Sequence, residues 1–291
     1  MFTLGTGFPM KNDSTTPTNR SVPEGLREHD KLTFDEFESV YSFDQTSDRR
    51  GIFTNFIRDE IECRDSGPTV LDIGCGSGMG VGPDRYNFVR RVKINDCRLI
   101  GIEPDVGVNP PEGLFESVER CLFEDSKLED DSVDIAYSHY VMEHVADPQR
   151  FLTTLFRILN PGGVYFFITP NGQHYFVKTA SLLNCFKADE MMLRLLRGKS
   201  TVEEYHYPVV YGFNQPRQID PLSTKVGFAA PRYVRLEQRG GASYFPGPLR
   251  LFWWFFMQKR RWIRNPRCLG NLIGRIEKPA TPATDAPSSS A

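Results

Sequence analysis

Apolar positions along the chain alternate between short unbroken runs and longer stretches of helical spacing. The short runs are Thr69-Val70-Leu71-Asp72-Ile73, Arg98-Leu99-Ile100-Gly101-Ile102-Glu103, Val133-Asp134-Ile135-Ala136-Tyr137 and Val164-Tyr165-Phe166-Phe167-Ile168. Runs of this length beside turn residues predict buried strands. Helical spacing appears over 33–64, through Phe34, Phe37, Val40 and Tyr41 and then Phe53, Phe56 and Ile57. It returns over 148–159, where Phe151, Leu152, Leu155, Phe156, Ile158 and Leu159 fall on one face. That helix is predicted to open at Asp147-Pro148 and to stop at Asn160-Pro161-Gly162-Gly163, because proline suits a first helical position and glycine a helix end. Strands separated by helices predict an α/β fold, a parallel sheet covered on both faces.

Outside this alternation the pattern fades. Residues 1–30 are polar and aperiodic, and 279–291 close in the low-complexity stretch ATPATDAPSSSA. Both are expected to be disordered tails flanking one domain at 31–278. The N-terminus lacks a basic start followed by an apolar core, so no signal peptide is expected. No run approaches the roughly 20 apolar residues of a membrane span. The 35 basic and 37 acidic residues leave a formal charge of −2, which offers no global attraction for nucleic acid. Six scattered cysteines without a Cys-x-x-Cys pair fit reduced thiols better than zinc or a disulfide framework. A cytoplasmic protein is the expectation.

Candidate chemistry centres on the loop after the first strand, Asp72-Ile73-Gly74-Cys75-Gly76-Ser77-Gly78. In an open parallel sheet a ligand sits at the carboxyl ends of strands, and glycines let the backbone approach it. The dinucleotide pattern Gly-x-Gly-x-x-Gly fails, because its sixth position is Met79. Glu103 ends the second strand, where an acidic side chain can accept hydrogen bonds from both ribose hydroxyls.

This loop and Glu103 resemble the first two motifs of class I S-adenosylmethionine-dependent methyltransferases. Ser132-Val133-Asp134-Ile135-Ala136 resembles that family's fourth-strand opening, and Ser138-His139-Tyr140-Val141-Met142-Glu143-His144-Val145 resembles the stretch after it. Arg157-Ile158-Leu159-Asn160-Pro161-Gly162-Gly163 resembles its turn into the fifth strand, and Thr169-Pro170-Asn171 that strand's exit. The domain is similar to the "methyltransferase type 11" style, which includes ubiquinone and menaquinone biosynthesis enzymes. The likeness is good over 68–175 and loose over 176–278.

The resemblance implies a Rossmann-like, seven-stranded, mostly parallel sheet with a helical cap, and S-adenosylmethionine as cofactor. Gly74, Cys75, Gly76 and Gly78 would border its amino acid part, Asp72 would orient its ammonium, and Glu103 would hold the ribose. Adenine would lie near Leu122-Phe123-Glu124-Asp125, facing the Phe123 amide. Where the family often has an acid for the adenine amino group this chain has Leu122, and Glu124 or Asp125 are either substitutes or plain solvated acids. Ser138 and His139 would lie beside the sulfonium.

Methyl transfer from a sulfonium needs chiefly alignment and exclusion of water, and a base only for an acceptor that keeps its proton. His139 and His174, each after a strand's carboxyl end, are the catalytic candidates. His144 reads as a structural histidine on the following helix, and Tyr205-His206-Tyr207 as lid or packing. Some relatives bind magnesium through Glu-x-x-Glu-His at this place; Glu143-His144 are present, but the first glutamate position is Tyr140, so no metal is expected.

Phe176 to Leu196 has helical spacing and is expected to cap an acceptor pocket. Tyr233-Val234-Arg235-Leu236 and Asn271 to Lys278 read as the sixth and seventh strands. Between them, 249–264 joins Leu249-Arg250-Leu251-Phe252-Trp253-Trp254-Phe255-Phe256-Met257 to Gln258-Lys259-Arg260-Arg261-Trp262-Ile263-Arg264. This is either a docked helix or a peripheral membrane contact, since aromatics beside a basic cluster suit a bilayer interface. The expected activity is methyl transfer to oxygen, nitrogen or carbon of a small molecule, a lipid or quinone-like one if the membrane contact holds. RNA or protein methylation, and a cofactor-binding protein without turnover, are the alternatives.

Overall fold

In the computed structural model the apolar runs are strands of a single sheet: β1 (Thr69–Ile73), β2 (Arg98–Ile102), β3 (Ser117–Glu119), β4 (Val133–His139), β5 (Leu159–Pro170), β6 (Arg232–Leu236) and β7 (Asn271–Glu277). It describes residues 32–40, 49–64, 67–76, 97–110, 112–174, 209–210, 212–237 and 262–280, with 251, 254, 255, 258 and 259. The strand order is β3-β2-β1-β4-β5-β7-β6. The pairs from β3 through β5 are parallel. β7 runs antiparallel to both β5 and β6. Strand order reverses between β1 and β4, and a crevice opens at such a switch point.

Side chains alternate across the central strands and join two cores. Val70, Ile135, Tyr137 and Phe166 pack on one face with Phe34 and Phe37 of α1 (Phe34–Glu38) and Phe53 and Phe56 of α2 (Arg49–Glu62). Leu71, Ile73, Tyr165 and Phe167 pack on the other with Phe151, Leu152 and Leu155 of α3 (Pro148–Ile158) and Ile219 of α4 (Pro216–Val226). Burial on both faces explains why every residue of β1 is buried and why the strand reads as a continuous apolar run.

The caps follow their chemistry. The Asp147 carboxylate accepts the Arg150 amide at 3.0 Å with Pro148 in the first turn, and α4 ends on Gly227 at φ 113°. Lys278, just past β7, donates to the carbonyls of Phe156 and Leu159 at 2.8 and 2.7 Å and to Asp131 at 2.5 Å. It thereby ties the end of the sheet to the last turn of α3.

Three expectations need correction. The strand expected at 164–168 extends over Leu159–Pro170, because pairing with β4 already begins at Val133↔Leu159 and resumes, after an irregularity, at Ile135↔Val164. His144 lies on a single 3-10 turn, Met142–His144, rather than on a full helix. β3 has no counterpart among the expected strands: three residues at the sheet edge, none fully buried, carry no apolar run to read. The tails 1–30 and 281–291, Ser77, Gly78, the cap at 176–196 and Tyr205-His206-Tyr207 lie outside the described residues.

Candidate functional site

The loop leaving β1 folds back over β2. The amides of Gly74 and Cys75 both donate to the Ile102 carbonyl, at 2.8 and 3.0 Å. Gly74 and Gly76 have φ of 72° and 52°, values that side chains rarely adopt. A Cβ on Gly74 would also stand 2.6 Å from Cγ2 of Val141, so the loop presses directly against the segment after β4.

Glu103 completes the turn from the β2 side. Its Oε2 accepts the Gly76 amide at 2.8 Å and its Oε1 the Asp105 amide at 3.0 Å. The carboxylate is buried and fixed by two backbone donors, with lone pairs remaining for further donors. Asp72 faces Tyr137 of β4 in register, and the phenol donates to Asp72 Oδ2 at 2.9 Å. The other oxygen, Oδ1, is buried without a partner among the described residues. Burial pushes the Asp72 carboxyl up to about 7, against the Tyr137 hydrogen bond and with help from Glu103.

Cys75 takes part through its backbone. Its thiol is buried toward Gly101, where a Cβ would meet Sγ at 2.8 Å, and burial with the nearby Asp72 and Glu103 charges raises it far above the ordinary thiol range. Phe123 anchors the short turn Phe123–Asp125 by burying its ring 4.6 Å from Phe151. On that turn Asp125 is engaged by Arg150. Glu124 remains as the half-buried acid, its carboxyl raised chiefly by desolvation.

The side chains of Ser138 and His139, expected beside the sulfonium, point to opposite faces of the sheet. The Ser138 hydroxyl is 2.6 Å from that of Tyr165, which donates onward to Met142 Sδ at 3.3 Å, inside the α3 core. His139 is buried against Phe53 of α2 and edge-on to Tyr140 at 4.5 Å. Burial first, then Arg50 and Arg49, hold it well below the usual imidazole range. A ring so reluctant to take a proton is poorly matched to base catalysis near neutral pH. His174 is buried in the turn after β5, its amide donating to the Asn171 carbonyl at 2.8 Å.

Several neighbours carry no sequence signal of their role. Tyr137 reads as one more aromatic in a strand, and only the register sets it opposite Asp72. Along the chain Glu143 reads solely as a remnant metal ligand. In the fold it is buried, accepts the Thr169 hydroxyl at 2.9 Å, and is pushed by desolvation up to about 7. Tyr140 is left-handed at φ 57°; its hydroxyl donates to Asn271 Oδ1 at 2.7 Å and the Arg49 guanidinium covers its ring at 5.5 Å. Among the described residues no three His, Cys, Asp or Glu side chains gather as a metal cluster.

Away from this crevice, Leu251, Trp254, Phe255, Trp262 and Ile263 are exposed, Trp262 to 86%. No helix among the described residues is long and apolar enough to cross a membrane.

Residues 48–222 match a family model described as a methyltransferase domain. A protein of Rhizobium johnstonii named ubiquinone biosynthesis O-methyltransferase is 30% identical over 168 residues, covering 53% of this chain and 60% of that one. A probable S-adenosylmethionine-dependent methyltransferase of Mycolicibacterium smegmatis is 32% identical over 131 residues, 44% of this chain and 48% of its own length. The chain thus spans 60% and 48% of these two relatives, less than two thirds of either. Among solved structures, the YcgJ protein of Bacillus subtilis superposes with a TM-score of 0.50 at 14% identity, over 79% of this chain and 99% of that one. That likeness speaks for the fold.

Proposed function

Since the chain belongs to the methyltransferase-domain family, matched over residues 48–222, we propose that it transfers the methyl group of S-adenosylmethionine to a small-molecule acceptor. The observation that carries this reading is the junction of Asp72, Gly74, Gly76 and Glu103 at the switch point. The residues fit the cofactor: Asp72 Oδ1 is a buried acceptor lacking a donor among the described residues, and Glu103 is held by two backbone amides with lone pairs to spare. Asp72 would meet the ammonium, the glycine backbone the amino acid chain, Glu103 the ribose hydroxyls, and the Phe123–Glu124 turn the adenine. When bound, the cofactor supplies a methyl group already activated by its sulfonium.

The chain's own part is alignment. Val141, pressed on Gly74, couples the cofactor loop to the segment after β4, where Tyr140 and its partners Arg49 and Asn271 stand on the acceptor side of the switch point. Fixing two reactants in this way supplies most of what an in-line displacement requires. Oxygen is the acceptor atom we favour, on the name of the Rhizobium relative. Glu103→Ala leaves two ribose hydroxyls unpaired, worth about 1–3 kcal/mol. S-adenosylhomocysteine binding measured by calorimetry should therefore weaken roughly ten- to a hundredfold, and unchanged affinity would refute the register assigned to this site.

We also propose that the exposed residues of 249–264 make a peripheral membrane contact. Exposed Trp254 and Trp262 on either side of Lys259, Arg260 and Arg261, with Arg264 beyond, suit an anionic bilayer surface. Asn171, at the exit of β5, donates to the Arg267 and Leu269 carbonyls at 3.1 and 2.8 Å, which fastens the chain just after this segment beside the acceptor side. The protein is expected to co-sediment with vesicles containing phosphatidylglycerol and to lose that binding in Trp254→Ser/Trp262→Ser; equal recovery in the supernatant with and without vesicles would end the idea.

A further inference from the structure

Asp72 and Tyr137 are buried to within 1% of completely, one on each side of the switch point. The phenol satisfies Oδ2 at 2.9 Å, and among the described residues nothing satisfies Oδ1. A buried polar atom left unmet is costly, and this one stands beside the first turn of the glycine loop. Resting on the cofactor reading above, we propose that the pair works as a proton-release device: the cofactor's ammonium seats on Oδ1 only when Asp72 is a carboxylate, and Tyr137 is the positioning residue that holds and stabilises that carboxylate.

The charges around the pair agree. Tyr137 reaches Asp72 from β4, Glu103 from the exit of β2, and Cys75 from the loop itself, with Cys97 before β2 acting on Tyr137. From α2, Arg49 and Arg50 act on His139, two positions farther along β4. Among the described residues Glu103 and burial oppose a second negative charge and the Tyr137 hydroxyl favours it, while Arg120, just after β3, acts on the neighbouring Cys75. The balance leaves the empty carboxyl titrating at about 7. An ammonium on Oδ1 tips it. The O–H bond of Asp72 breaks, its proton leaves to solvent, and a carboxylate–ammonium pair remains.

Calorimetry with S-adenosylhomocysteine tests this without turnover. Between pH 7.5 and 6, where the ligand's amine stays protonated, affinity should fall about eightfold, as a single group titrating near 7 requires. Titrations at pH 6 in two buffers of different ionisation enthalpy should report close to one proton released per ligand bound. Tyr137→Phe keeps the ring and removes the hydrogen bond, so the midpoint should rise by about one pH unit, while the melting temperature of the empty protein reports any packing damage. Asp72→Asn should bind weakly at every pH and release no proton. Wild-type binding that is independent of pH, without proton release, overturns this proposal and leaves the cofactor reading standing. No binding of S-adenosylhomocysteine at any pH overturns the cofactor reading itself.

Discussion

Asp72→Asn is expected to raise the thermal stability of the ligand-free protein at pH 8 while impairing cofactor binding. The folded carboxyl titrates at about 7, against an ordinary value of 3.8. Between those values the unfolded state binds fewer protons than the folded one, so stability falls as pH rises through that window, and the loss is complete above about 7. A shift of this size, for a fully buried group, corresponds to a penalty on the order of 4 kcal/mol at pH 8. An asparagine keeps the shape and the acceptor for Tyr137 without the charge, so the variant should be the more stable protein at pH 8, with the difference shrinking to about 1 kcal/mol at pH 4.5. Other groups titrate in the same range. Glu143, raised by desolvation to about 7, loses stability in the same direction, whereas His139, held low, loses it as pH falls through the ordinary imidazole range. The informative quantity is therefore the difference between variant and wild-type melting curves at each pH. A variant less stable than wild type at pH 8 would contradict the electrostatics assigned to Asp72. The stabilisation would come at the expense of function, as is common for buried polar groups at sites.

The second large effect is expected in β7, three strands from β1. Gly274 of β7 lies directly opposite Phe167 of β5, and the ring covers it so closely that a Cβ would stand 2.2 Å from Cζ and 2.3 Å from Cε1. Phe167 is fully buried and packs 5.6 Å from Tyr165, so it has nowhere to retreat. Gly274→Ala should cost about 3 kcal/mol, at the upper end of overpacking, and lower the melting temperature by about 6–12 °C for a domain of this size. In a Phe167→Leu background the same substitution should cost less than about 1 kcal/mol, because the obstructing ring is gone. A Gly274→Ala protein with the same melting temperature as wild type would mean that the ring does not lie over the glycine.

Both effects depend on which side chains face each other across strands, and that divides what is legible along the chain from what is not. β1, β2, β4 and β5 are legible because strands buried on both faces leave unbroken apolar runs between turn residues. α3 is legible at both ends, since Asp147-Pro148 and the glycine pair act through neighbours in sequence. The glycine loop is legible for the same reason: Gly74 and Gly76 answer a local need for positive φ, and Glu103 stands at the end of the neighbouring strand. β3 escapes because an exposed three-residue edge strand is defined only by its partner, β2.

By itself the sequence determined the α/β class, the position of the loop at Asp72–Gly76 and its acidic partner Glu103, because these rest on local backbone chemistry and periodicity. Tertiary structure alone decided that Tyr137 answers Asp72, that Ser138 and His139 part to opposite faces, that burial with Arg50 and Arg49 holds His139 well below the usual imidazole range, and that Phe167 roofs Gly274. Each of these follows from register between strands distant in the chain and from the desolvation that packing imposes. Neither is written in any short stretch of residues.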